Sequence, residues 1–227
     1  MKRSYRVLLG LSMLCTGCQT TSPMVSPSPS VTIVPNAVER SLPAKDIPDS
    51  PLAIESPLDA TNIDDYLFID GVQYVDLRSI EQLQTEGMIA GFEVIPFYDV
   101  LVSYDFKENV LFTMRKDDMT NADVYLGDVG TFYPNYEESE AVLKDIFQED
   151  GPIVFMSTAG VESAYMINLL IQYGYDPSLL YNAGTFTNGM GDIIAYRDYE
   201  DHRYYLEPNH GYGYTITYDF GELTPLG

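Results

Sequence analysis

From Pro152 to Gly174 the chain reads PIVFMSTAGVESAYMINLLIQYG, and the period of its apolar positions changes halfway along. Ile153, Val154 and Phe155 form an unbroken apolar run behind a Gly-Pro breaker, the pattern of a buried strand. The small and polar residues Ser157, Thr158, Ala159 and Gly160 follow as a tight loop. Val161, Ala164, Ile167 and Ile171 then recur at helical spacing, Tyr165, Met166, Leu169 and Leu170 widen the apolar face, and Gly174 stands where a helix commonly ends. A strand, a tight loop and a helix N-terminus gather unpaired backbone N–H groups around one point, which is how a fold builds an anion pocket or activates a nucleophile.

Upstream, Asp65 to Asp70 and Gln73 to Leu77 are β-rich runs separated by Gly71 and predict two strands joined by a tight turn. Ser79 is a fair N-cap for a short helix through Glu86 that stops at Gly87. Gly87 and Gly91, four apart and followed by an apolar strand ending at Pro96, predict a sharply turning backbone. Val100 to Tyr104 and Asn109 to Met114 flank Lys107-Glu108-Asn109 and read as a hairpin. Asn135, with Glu138 three residues on, predicts a helix running to about Asp150. Beyond Gly191 the chain is tyrosine-rich, and alternation in Tyr212 to Tyr218 predicts strands that add a small sheet or an edge.

Residues 19 to about 60 differ in kind. They are rich in Ser, Thr and Pro, including Ser26-Pro27-Ser28-Pro29-Ser30, and read as a solvated tether that does not pack on the domain. Before them, Lys2, Arg3 and Arg6 precede the apolar run Val7 to Cys15, the layout of a secretory signal peptide over residues 1–17, too short to span a bilayer as a helix. Cys15-Thr16-Gly17-Cys18 resembles the bacterial lipobox. By that resemblance Cys18 is acylated, palmitate being one such chain, and becomes the new N-terminus, anchoring an exported protein to the cell membrane with its domain, residues 61–227, outside it.

The 12 basic residues less Lys2, Arg3 and Arg6 leave 9 against 34 acidic ones, a net charge of −25 for the processed chain. That balance argues against nucleic acid and favours solubility or a cationic or protein partner at the cell envelope. With Cys15 in the signal, Cys18 is left as the one cysteine, so no disulfide stabilises the exported domain. Asp117, Asp118 and Asp123 miss the alternate-position pattern of a calcium loop and read as a solvated loop. No metal site or cofactor is expected.

Three motifs in order resemble rhodanese-like domains across residues 64 to 191. The family's Asp-x-Arg at a strand end is matched by Asp76 and Arg78. Its Gly-His-Ile-x-Gly-Ala segment running to Ile-Pro is matched by Gly87, Ile89, Gly91, Ile95 and Pro96, with Met88 and Phe92 in the His and Ala places. Its Cys-x-x-Gly-x-Arg-Ser loop is matched at Gly160 and Ser163, within the segment Ser157, Thr158, Ala159, Gly160, Val161, Glu162, Ser163. Leu179 to Phe186 is similar to the family's closing strand and glycine turn. The resemblance implies an α/β fold with a mostly parallel central sheet and helices on both faces, to which the hairpin and the tyrosine-rich β extension are added.

The loop departs from the family where activity resides. Ser157 stands at the nucleophilic cysteine and Glu162 at the loop arginine. A serine hydroxyl cannot carry the persulfide of a sulfurtransferase, and a carboxylate at the pocket mouth repels thiosulfate or phosphate. The expectation is therefore a non-catalytic binding or structural module with a remnant loop. The alternative is a hydrolase using Ser157 as nucleophile, its base supplied by the fold from His202 or His210, the only histidines.

Overall fold

The structure is a computed structural model that describes residues 40–47, 56–115, 131–184, 196, 202–211 and 218–226. The expected signal segment 1–17, Cys18, the Ser-Pro run, the acidic segment Asp117 to Asp123, Thr185 and Phe186, and the tyrosine run 212–217 lie outside the described residues.

A four-stranded parallel sheet is the centre of the domain. In chain order its members are β1 (Gln73–Asp76), β3 (Glu93–Val94), β7 (Ile153–Met156) and β8 (Leu180–Asn182), and they lie side by side as β3-β1-β7-β8. β1 and β7 register Gln73 with Ile153 through Asp76 with Met156, so alternate side chains of both point to the same face. Val75, Leu77, Ile153 and Phe155 enter one core with α2 (Ser139–Ile146) and α3 (Val161–Gln172). Tyr74, Val154, Met156 and Tyr181 enter the other, covered by Leu58, the 3-10 turn Ile63–Asp65, Leu67, Phe92 and Tyr196. Every β7 residue is buried, as the unbroken apolar run requires.

The helix α1 (Ile80–Glu86) begins and ends where local chemistry predicts. Ser79 Oγ accepts the Gln82 N–H at 3.2 Å while Gln82 Oε1 accepts the Ser79 N–H at 3.0 Å, and Gly87 takes φ 79 at the C-cap. That glycine is obligatory on contact grounds too, since a Cβ there would lie 2.4 Å from the Leu206 carbonyl oxygen. β2 (Met88–Ile89) pairs antiparallel with β9 (Tyr205–Leu206), which is the described part of the tyrosine-rich extension.

Four expectations are corrected. Asp65 to Asp70 is no strand: the end of a 3-10 turn and further turns run through it, and Phe68 takes φ 59, because Ile63 and Leu67 must both drop into the core one helical turn apart. The two runs expected to form a hairpin pair in parallel, β4 (Val102–Ser103) beside β5 (Phe112–Arg115), and the antiparallel neighbour of β5 is β6 (Thr131–Pro134). A five-residue π turn, Phe97–Leu101, precedes β4 and buries Phe97, Val100 and Leu101. α2 starts at Ser139, not Asn135, because the Asn135 amide is spent across strands, donating to the Val110 carbonyl at 2.8 Å and accepting the Thr113 hydroxyl at 2.7 Å. It stops at Ile146 because Phe147 turns extended to bury its ring against Phe155.

The fourth concerns the tether. The compact unit begins at Ser41, ahead of the expected boundary at 61. Lys45 donates to the Pro177 carbonyl at 2.8 Å and to the Leu180 carbonyl, its ammonium lies 4.7 Å from the centre of the Tyr181 ring, and Tyr181 donates back to the Pro43 carbonyl at 3.1 Å. Leu42 to Lys45 therefore packs on the domain, Pro43 and Lys45 beside β8, and Leu58 and Ala60 belong to the core.

Candidate functional site

The order β3-β1-β7-β8 places a topological switch between β1 and β7. The chain leaves β1 toward β3 on one side and leaves β7 toward β8 on the other, so the loops after the two central strands diverge and open a crevice at their carboxyl ends. A recess of about 70 Å³ lies there, lined by Leu77 to Ser79 and Gln82 after β1, Pro96 to Asp99 after β3, and Ser157, Thr158 and Glu162 after β7. Two of the three segments singled out in the sequence, at Arg78 and in the Ser157 loop, thus converge on one point. The third reaches it only through its last residue, Pro96, while its glycines lie elsewhere: Gly87 packs under β9, and Gly91 lies under the Phe68 ring.

Ser157 is 1% exposed, and its oxygen accepts the Ser163 N–H at 3.3 Å, so the hydroxyl serves as a cap for the first turn of α3. Thr158 accepts the Gln82 amide N–H at 2.7 Å, which ties the loop to the capping box of α1. Gly160 takes φ 77 and meets Gly184 so closely that a Cβ would stand 2.9 Å from the Gly184 Cα. Asn182, on β8, donates to the Gly160 carbonyl at 3.0 Å and holds the turn. Ala159 is exposed at the loop tip, and Val161 opens α3 half-buried.

Three buried side-chain atoms find no hydrogen-bond partner among the described residues: Glu162 Oε2, Ser163 Oγ and Asn182 Oδ1. All belong to this loop or to the side chain that braces it. Buried polar groups are ordinarily paired, so their clustering marks the loop as the place where polar capacity is left over.

Asp76 and Arg78 form a buried clamp behind the recess. Arg78 donates to Asp76 Oδ2 through Nη2 at 2.7 Å and to Oδ1 through Nε at 3.0 Å, to Glu86 through Nη1 at 3.3 Å, and to the Gly87 carbonyl at 3.1 Å. Burial works against the guanidinium's charge, but Asp76 and then Glu86 hold its pKa above the ordinary value. One side chain thereby joins the end of β1 to the end of α1.

The sequence reading did not single out Tyr98, Asp99 or Gln82. Tyr98 lies edge-on to Phe97 at 5.0 Å, its hydroxyl is 3.0 Å from that of Tyr104, and its pKa is raised first by burial, then by Tyr104 and the charge of Glu162. Pro96 directly after the β3 run was the available signal, because it begins the turn that carries Phe97 to Asp99 to the recess.

Neither histidine lines this recess. His202 instead lies against the Tyr196 and Tyr205 rings and lines a second cavity, about 330 Å³, with Asp64, Asp65 and Arg203. There Asp64 accepts the Tyr196 hydroxyl at 2.5 Å and the Arg203 N–H at 2.9 Å, which fastens the C-terminal segment to the turn before β1. His210 meets α1 through its backbone carbonyl, which accepts from Gln84 at 3.4 Å.

Among the described residues no three His, Cys, Asp or Glu side chains come together as a metal site, and no helix is long and apolar enough to cross a membrane. Compared with protein-family models, curated proteins and solved structures, the chain matches none.

Proposed function

We propose that this chain is an exported, lipid-anchored rhodanese-like module that has lost sulfur-transfer chemistry and serves as a binding or structural domain at the outer face of a bacterial membrane. The single observation that carries the non-catalytic part is the state of Ser157. It occupies the position that the family resemblance gives to the nucleophile, yet it is buried and its oxygen caps α3. A serine cannot form a persulfide, and among the described residues no histidine or lysine lines the recess beside it to activate it for acyl transfer. The parallel sheet and the meeting of Arg78 with the Ser157 loop at its carboxyl end support the family likeness.

Thiosulfate:cyanide sulfurtransfer and generic ester hydrolysis, assayed on purified protein, should both be absent, and Ser157→Ala should leave any background rate unchanged. Turnover of either substrate that disappears in Ser157→Ala overturns the module reading. For the anchor, Cys18→Ser should release the protein from membranes or leave its precursor unprocessed. A processed variant that stays membrane-bound refutes lipidation at Cys18.

A further inference from the structure

We propose that the outer edge of β8 is a docking site for an extended Leu-Pro-x-Lys peptide, filled here by Leu42 to Lys45 of the same chain and exchangeable with the same segment of a second copy.

The contacts divide into a seat and an insert. The seat is β8 with the 3-10 turn Pro177–Leu179 before it. Lys45 donates to the Pro177 carbonyl at 2.8 Å and to the Leu180 carbonyl, and its ammonium stands 4.7 Å from the centre of the Tyr181 ring. Tyr181 donates to the Pro43 carbonyl at 3.1 Å, and Leu42 packs against the core that Tyr181 enters. The hydrogen-bonded residues are 132 to 138 positions apart in the chain, so the insert meets the seat as a separate peptide would. Ala44 between the contacts is exposed, as are Asp46 and Ile47 after them. What is read is therefore an apolar side chain, the main-chain carbonyl of the next residue and an ammonium two positions further on.

The seat has a physical reason to take such an insert. β8 is the last strand on its side of the sheet. In a parallel pair alternate residues bond toward one neighbour, and the Ala183 N–H goes to the Phe155 carbonyl, so the Leu180 carbonyl faces the open edge. An edge carbonyl needs a donor from elsewhere, and an ammonium with three N–H groups serves two carbonyls at once. Asp176, just before the turn, attracts the same ammonium, and the Tyr181 ring adds its negative face.

A second copy carries this insert with its chemistry already matched. Residues 48–55 link Ile47 to Ser56, and a link of that length reaches at most roughly 30 Å, enough to cross to the β8 edge of an adjoining copy. Exchanging an identical element keeps every contact, so what opposes it is the lost freedom of two molecules becoming one. In dilute solution the link holds the chain's own segment at an effective concentration on the order of millimolar, and the seat stays filled from within. Crowded copies compete with that. The net charge of −22 makes copies repel, so exchange should strengthen as salt screens the repulsion. The site itself stands whether or not Cys18 carries lipid; an anchor would only crowd the copies on one surface.

The test uses the purified full-length chain and a capped, fluorescein-labelled peptide of residues 41–47, read by fluorescence anisotropy. Lys45→Glu puts a carboxylate against two carbonyls and Asp176 and should expel the chain's own segment, opening the seat. That variant should bind the peptide at least about tenfold more tightly than wild type, whose seat is already filled. A Lys45→Met version of the peptide should bind at least about tenfold more weakly than the native one. For exchange between copies, Lys45→Glu chains with an open seat are mixed with Asp176→Lys chains, whose segment is intact and whose seat repels it. Sedimentation velocity at raised salt should show a one-to-one dimer in the mixture, dissolved by excess peptide, and monomers for each variant alone. No peptide binding by a folded Lys45→Glu chain, or equal binding of the two peptides, overturns the docking site. A mixture that stays monomeric overturns the exchange. Should Lys45→Glu fail to fold, Lys45→Ala takes its place in both arms. Release of Cys18→Ser from membranes reports on the anchor alone and leaves this proposal untouched.

Discussion

Replacing Arg78 with Met tests whether the Asp76–Arg78 clamp is structural. Asp76 is 0% exposed and, without the guanidinium, would keep among the described residues only the backbone N–H of residue 78, which it accepts at 3.0 Å. A buried carboxylate stripped of its cation costs about 3–5 kcal/mol, a large share of the 5–15 kcal/mol typical of a whole domain. Glu86 also loses its partner, but its side chain is 20% exposed and water replaces much of that contact, so the loss at Asp76 dominates. For a domain of this size the expected fall in Tm is roughly 6–20 °C, read by circular dichroism, with urea unfolding as a second measure. The cost arises from an orphaned charge, so adding Asp76→Asn to Arg78→Met should recover at least about 1 kcal/mol. A loss below about 1 kcal/mol in Arg78→Met, or a double variant less stable than the single one, would refute this account of the clamp.

Burial holds the Lys45 ammonium down at about 8, against the pull of Asp176. The unfolded chain therefore keeps that proton more tightly than the folded one, so the penalty is full below pH 8 and is relieved as pH rises from about 8 toward the ordinary value of 10.5. Wild type should accordingly gain in Tm over Lys45→Met between pH 7 and 9.5, and a constant difference would refute the burial argument. Gly160→Ala should cost at least about 1–2 kcal/mol for its left-handed backbone, plus the collision with Gly184. Gly174→Ala has φ 92 but open space around its Cβ, so it should cost less; equal losses would show that the Gly160–Gly184 contact has no weight. Limited proteolysis followed by intact mass should leave a core that starts near Ser41, whereas a stable core starting at 61 would remove the packing of the Lys45 segment.

Local chemistry was enough to determine the strand-loop-helix from Ile153 through Gln172 and the helix from Ile80 through Glu86. In the first, the apolar period changes from contiguous to helical across four small residues; in the second, Ser79, Gln82 and Gly87 satisfy the helix ends with groups within three residues of each end. The composition of the loop was legible as well, with serine and glutamate where the resemblance places cysteine and arginine. Tertiary structure decided the rest wherever a distant partner outbid a local preference. Phe68 leaves the β region because Ile63 and Leu67 fill one core, and Asn135 forgoes capping a helix because Val110 and Thr113 take its amide. Lys45 leaves an apparent tether because two carbonyls beside β8 accept its protons. The environment of Glu162 belongs to this second group. Its position in the first turn of α3 follows from sequence, but Tyr98 and Asp99 reach it only because β3 lies beside β1 and delivers Pro96 to the same end of the sheet. Hydrogen-bond satisfaction and burial are settled over the whole fold, and a residue's near neighbours in the chain carry no record of which far segment will arrive.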